Sequence, residues 1–140
     1  MAEKMQECMM TLILPIHTVS ESNVHTHWRK RHHRAKTQRT AMYYRCLATW
    51  RTPPALPLRI TLTRIAPRAL DDDNLAASCK ALRDGVADWL AGAYGTGNDR
   101  QEGLRWHYAQ RKGMPHEYAV EVSILVHAIP QNTQKGKTDE

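Results

Sequence analysis

The sequence predicts a single α+β domain, β-α-β-α-β-β, with two helices packed on a mixed β-sheet. Three observations predict it. The apolar period switches between two and 3.6 in that order, 140 residues suit one domain, and 41% apolar with 24% charged residues suit a folded core. No apolar run approaches the roughly 18 residues of a membrane span.

Met10, Leu12, Leu14 and Ile16 alternate with Thr11, Ile13 and Pro15, the pattern of a strand. Pro15 has no N–H for a ladder, so the strand lies at an edge or ends there. A polar loop follows from His17 to about His27. Ala35, Met42, Tyr43, Cys46, Leu47 and Trp50 then recur at helical spacing with Arg39, Arg45 and Arg51 among the remaining positions. They predict an amphipathic basic helix from Ala35, stopped by Thr52-Pro53-Pro54.

Leu58, Ile60 and Leu62 alternate with Arg59, Thr61 and Thr63, a half-buried strand. The next helix follows a triple aspartate. At roughly 100° per residue, Leu75, Cys79, Leu82, Val86 and Trp89 fall within about 40° of one direction, a buried stripe. Leu104, Trp106 and Tyr108 alternate with Arg105, His107 and Ala109, and beyond the turn at Gly113-Met114-Pro115, Tyr118, Val120, Val122, Ile124 and Val126 alternate with Ala119, Glu121, Ser123, Leu125 and His127. These predict a terminal antiparallel hairpin. The domain is read over residues 1–130, with the polar 131–140 as a disordered tail.

The net charge of +6 hides a segregation. Eleven Lys and Arg residues and no acid lie between Glu21 and Asp71, and the rest of the chain is net acidic. Such a block suggests a polyanionic partner, nucleic acid first. Its densest run, Trp28 to Lys36, together with Arg39, offers Arg29, Lys30, Arg31, Arg34, Lys36 and Arg39 as phosphate-binding candidates. Trp28 is a candidate to stack on bases, whereas Trp50, Trp89 and Trp106 sit on apolar stripes and read as core. His25, His27, His32 and His33 have no regular zinc spacing and no cysteine beside them, and His107 and His127 are assigned no role. Cys8, Cys46 and Cys79 are odd in number and widely spaced, which suits packing in a reducing compartment, and the cytoplasm is the expected location.

Asp71-Asp72-Asp73-Asn74 stands where strand gives way to helix. Asp71 and Asp73 straddle the corner, and on a continuous helix Lys80 and Asp84 lie within about 20° of Asp73, opposite the apolar stripe. One account is structural, with aspartates capping a helix start and a weak Lys80–Asp84 pair. The other is chemical. Carboxylates without imidazole or thiolate suit Mg²⁺ or Mn²⁺, and a hard cation beside a basic surface serves phosphodiester hydrolysis, with lysine stabilising developing charge. Asp99, in the glycine-rich loop before the third strand, is the best further ligand, and Asp88 a weaker one.

The Asp71-Asp72-Asp73-Asn74 element, the helix carrying Lys80 to Asp84-Gly85, the Asn98-Asp99 loop and the closing strands resemble the RusA family of Holliday-junction resolvases. The resemblance implies a homodimeric, Mg²⁺-dependent endodeoxyribonuclease that cuts four-way DNA junctions by paired nicks. It also implies Asp71, Asp73 and Asp99 as metal ligands and Lys80 as the functional lysine. Here Lys80 lies seven residues beyond Asp73, about one helical turn further than in the best-known member, and Asn98 stands where that member has another acid. The alternative expectation is a non-catalytic nucleic-acid-binding protein whose aspartates only cap a helix.

Overall fold

The structure, a computed structural model, describes residues 6–19, 28–94 and 102–128. The elements run β1 (Gln6–Leu14), α1 (Trp28–Thr49), β2 (Leu58–Ala66), α2 (Asp72–Ser78), α3 (Lys80–Tyr94), β3 (Leu104–Lys112) and β4 (Ala119–Ala128). The strands form one mixed sheet ordered β1-β4-β2-β3. β4 pairs antiparallel with β1 and β2, while β2 and β3 are parallel. The α+β class and the order of elements agree with the sequence reading, and β1 is an edge strand that ends before Pro15.

The period-two residues make one face of this sheet. Leu12 and Leu14, then Leu58, Ile60 and Leu62, then Val120, Val122 and Ile124 are buried and share a single core with Met42 and Cys46 of α1. Leu75, Cys79, Leu82, Val86, Trp89 and Leu90 complete it from α2, α3 and the residue between them. Burying each large aliphatic side chain stabilises the fold by about 1.5–3 kcal/mol relative to exposing it. Among the described residues no helix is long and apolar enough to cross a membrane.

Four expectations are corrected. First, β3 and β4 form no hairpin. They are antiparallel in direction, but β2 lies between them. Alternation specifies which face a residue occupies, not which strand lies beside it, and the residues from Gly113 to Tyr118 can cross the roughly 10 Å over one intervening strand. β2 takes the inner position, with Leu58, Ile60 and Leu62 at most 2% exposed.

Second, α1 begins at Trp28 rather than Ala35, so the basic run is helical. Residues 28–36 contain no β-branched side chain and several good helix formers, but this end is mostly exposed and carries no apolar period. Third, the buried row of α1 is Gln38, Met42 and Cys46, while Ala35 and Leu47 are exposed.

Fourth, the second helix is two. Ser78 Oγ donates to the Leu75 carbonyl at 2.8 Å, the acceptor that the Cys79 N–H would otherwise use. The Cys79 N–H bonds to Ala76 O at 3.2 Å, and Cys79 O receives Arg83 N at 2.9 Å as α3 begins. Serine bonding back to its own helix commonly disturbs it in this way.

Gly85 explains how α1 and α3 cross. A Cβ there would lie 2.5 Å from Arg39 O and 2.8 Å from Met42 Cβ, so only hydrogen allows this approach.

Candidate functional site

The corner after β2 is built from backbone and side-chain clamps. Arg64 Nη1 donates to Arg68 O at 2.7 Å. Gln110 of β3 then grips Leu70 twice, its Nε2 donating to Leu70 O at 2.7 Å and its Oε1 accepting from Leu70 N at 3.0 Å. Asp71, with φ −71° and ψ 168°, is the N-cap of α2. Its Oδ1 accepts from Asn74 N at 2.9 Å, and its Oδ2 from Asn74 Nδ2 at 3.1 Å. The D-x-D-N motif is thus a capping motif in which Asn74 orients the carboxylate of Asp71.

Asp72 and Asp73 are exposed in the first turn of α2, where the helix dipole favours negative charge. Asp99 lies outside the described residues. Among the described residues, no three His, Cys, Asp or Glu side chains gather as a metal-binding group. The chemistry of the donors still fits a hard cation. Mg²⁺ is commonly held by one or two carboxylates and keeps water or phosphate oxygens for its other positions. Asp71 retains acceptor capacity beyond its two cap bonds, since an ionised carboxylate offers about four lone-pair sites.

Lys80 is the first residue of α3 and is 73% exposed in its side chain, with Nζ 3.6 Å from Asp84 Oδ2. The expected i,i+4 pair therefore forms. The alignment of both residues with Asp73 does not transfer directly, because the break at Cys79 interrupts the helical count. An exposed pair of this order contributes only tenths of a kcal/mol, so Lys80 can exchange Asp84 for another anion at little cost.

A groove of about 710 Å³ runs between the N-terminal half of α1 and the α2–α3 junction. Arg31, His32, Lys36 and Arg39 line it from α1, facing Lys80 and Asp84. Among the predicted phosphate binders, Arg31, Lys36 and Arg39 are thus brought to one groove with Lys80. Arg29 and Lys30 are exposed at the start of α1, with Arg29 stacked 5.5 Å from the centre of the Trp28 ring, and Arg34 is half-buried. Arg39 also holds Asp88 in a bidentate pair, Nε to Oδ2 at 2.7 Å and Nη2 to Oδ1 at 2.8 Å. Asp88, the weaker ligand candidate, is therefore engaged in fastening α3 to α1.

Sequence reasoning missed three positioning residues. Gly85, inside the apolar helix, was legible as a site of close packing. Arg64 continues the inward parity of Leu58, Ile60 and Leu62, and it is buried at 7% exposure. Gln110, the clamp on the aspartate corner, had no signal, because its partner Leu70 is 40 residues away.

The reactive potential of the two buried cysteines is low. Burial pushes the Cys46 thiol up to about 12 and raises that of Cys79, so both are packing residues, while Cys8 is exposed.

Compared with known proteins, the chain matches no protein-family model and no curated protein.

Proposed function

We propose that this protein is a divalent-metal-dependent, structure-selective endodeoxyribonuclease that resolves four-way DNA junctions in recombination and repair. It acts in the cytoplasm as a homodimer, because a junction has two scissile strands and a two-fold dimer supplies two equivalent sites. One observation carries the reading. Arg31, Lys36 and Arg39 of α1 share one groove with the Lys80–Asp84 pair, and α2, which starts at the aspartate corner, ends in that groove at Ala77 and Ser78.

The start of α1 supports an anionic ligand. Its first turn holds no acid and contains Arg29, Lys30 and Arg31, the reverse of the arrangement that stabilises a helix start. Helix dipole and side chains there attract phosphate together. Arg29, Lys30, Arg31, Arg34, Lys36 and Arg39 bind the DNA backbone and set affinity and salt dependence more than sequence choice. Asp71 and Asp73 would hold Mg²⁺ or Mn²⁺, with Asp99 as a third ligand. When bound, the ion would supply activation of water and neutralisation of phosphate charge. Lys80, loosely paired to Asp84, reaches toward the phosphate and stabilises charge developing on its oxygens.

Asp73→Asn tests this. The variant is expected to bind a synthetic four-way junction with wild-type affinity and to lose cleavage in Mg²⁺ by at least about a hundredfold. Cutting at the wild-type rate sinks the metal assignment. The cap bonds of Asp71 favour a second reading, a non-catalytic nucleic-acid binder. Titrating Mg²⁺ and Mn²⁺ on branched, duplex and single-stranded DNA separates the two, because binding without cutting in either metal favours the second.

A further inference from the structure

A second basic concavity lies at the carboxyl ends of the parallel pair β2 and β3, away from α1. It is a pocket of about 330 Å³ walled by Arg64, Arg68, Gln110, Arg111 and Lys112, with no carboxylate in its lining. Its deepest cation is Arg64, 7% exposed. Arg64 Nε donates to Thr18 Oγ1 at 3.0 Å and Nη1 to Arg68 O at 2.7 Å, both neutral acceptors. Among the described residues no acid pairs with it. Two of its five N–H groups are thus used, and the charge itself is uncompensated.

Buried charges are ordinarily paired, because desolvation is expensive. Here the described residues supply no acidic partner, and the three neighbouring cations make the deficit larger. Arg111 alone is partly offset, by Glu121 at 3.5 Å. A planar guanidinium on a residue that lines a cationic pocket matches the oxygens of a phosphate, which it can bind by two parallel hydrogen bonds.

The pocket is also tied to the aspartate corner. Gln110 clamps Leu70, and Arg64 holds the carbonyl of Arg68, so the loop that forms one wall delivers Asp71. Arg68 precedes Asp71 by three residues, a reach of at most about 11 Å.

We propose that this pocket is a phosphate-binding subsite that takes a backbone phosphate of the DNA strand beside the position served by Asp71 and Asp73. Its ligand rests on the nuclease reading above, whereas its chemistry rests on Arg64. It differs from the α1 groove in gripping one phosphate rather than tracking a backbone.

The test has two arms and uses Arg68→Ala/Lys112→Ala, since both residues are exposed and their loss leaves the core intact. Inorganic phosphate titrated into the ¹⁵N-labelled wild type is expected to shift the amides of residues 66–70 and 110–113 saturably, and to leave the double variant unmoved. A wild-type spectrum that phosphate does not change overturns the site. Four-way junction binding is then measured without divalent metal. The double variant is expected to raise Kd about tenfold or more and to reduce the slope of log Kd against log salt by about two, one for each cation removed. Phosphate binding with unchanged junction affinity and slope overturns the assignment to DNA backbone. A wild type that binds the junction through the pocket and cuts it in neither metal ion supports this proposal and defeats the nuclease reading alone.

Discussion

The α1 groove and the pocket at the ends of β2 and β3 present cations in opposite ways. On α1 the charges are many and mostly exposed, and Arg39 has an acid of its own in Asp88. The pocket carries Arg64, Arg68, Arg111 and Lys112, and what sets it apart is Arg64, buried beside neutral acceptors. Solvated charges give long-range, salt-sensitive attraction without demanding geometry. A desolvated guanidinium gives a short-range interaction that depends on position. The first setting suits capture of a polyanion and the second suits fixing its register.

The largest effect expected on this contrast comes from separating α1 from α3. Gly85→Ala places a methyl group against the Arg39 carbonyl and should destabilise the fold by about 2–3 kcal/mol. For 140 residues that corresponds to a Tm lower by roughly 7–10 °C, measurable by calorimetry. A Tm within two degrees of wild type would show that the helices part easily.

Arg64→Met should sharpen the difference. Relief of desolvation offsets two lost hydrogen bonds, so unfolding free energy should change by no more than about 1–2 kcal/mol in denaturant titration. Phosphate-induced amide shifts should nevertheless vanish. A loss of more than about 4 kcal/mol would mean that Arg64 is structural.

Asp71 separates capping from catalysis. Asp71→Ala should cost about 1 kcal/mol, whereas Asp71→Asn keeps an N-cap acceptor and should retain stability. If the carboxylate holds metal, Asp71→Asn still loses junction cleavage. A fully active Asp71→Asn would leave the residue with the capping role alone.

The smallest effect is expected on the α1 side. A double-mutant cycle of Arg39→Ala and Asp88→Ala should yield a coupling of roughly 0.5–1 kcal/mol that shrinks as salt is added, since the side chains are 49% and 31% exposed. A coupling above about 2 kcal/mol, unaffected by salt, would make this pair a rigid clamp and weaken the contrast with Arg64.

Much of the molecule was legible in residue order. Leu58, Ile60 and Leu62 showed their inward face by period two, and Leu75, Cys79, Leu82, Val86 and Trp89 showed theirs by period 3.6; all are buried. The start of α1 was illegible because the periodic signal comes from burial, and residues 28–36 bury little. The break at Cys79 turns on a single side-chain hydrogen bond from Ser78, which composition cannot reveal. At the candidate site, the acid run revealed both the Asp71–Asp73 corner and its capping of a helix start, whereas the hold of Asn74 on the Asp71 carboxylate and the Gln110 clamp depend on the folded geometry.

By itself the sequence determined which faces are apolar, where the strands and the α2–α3 segment lie, and that its cations and acids are segregated. These follow from local periodicity and composition, which each segment carries regardless of its neighbours. The tertiary structure alone decided that β2 separates β3 from β4, that Gly85 admits α1, and that Arg64 is buried with no acid among the described residues beside it. Those outcomes depend on which distant segments meet, and the desolvation that gives Arg64 its character exists only after they have met.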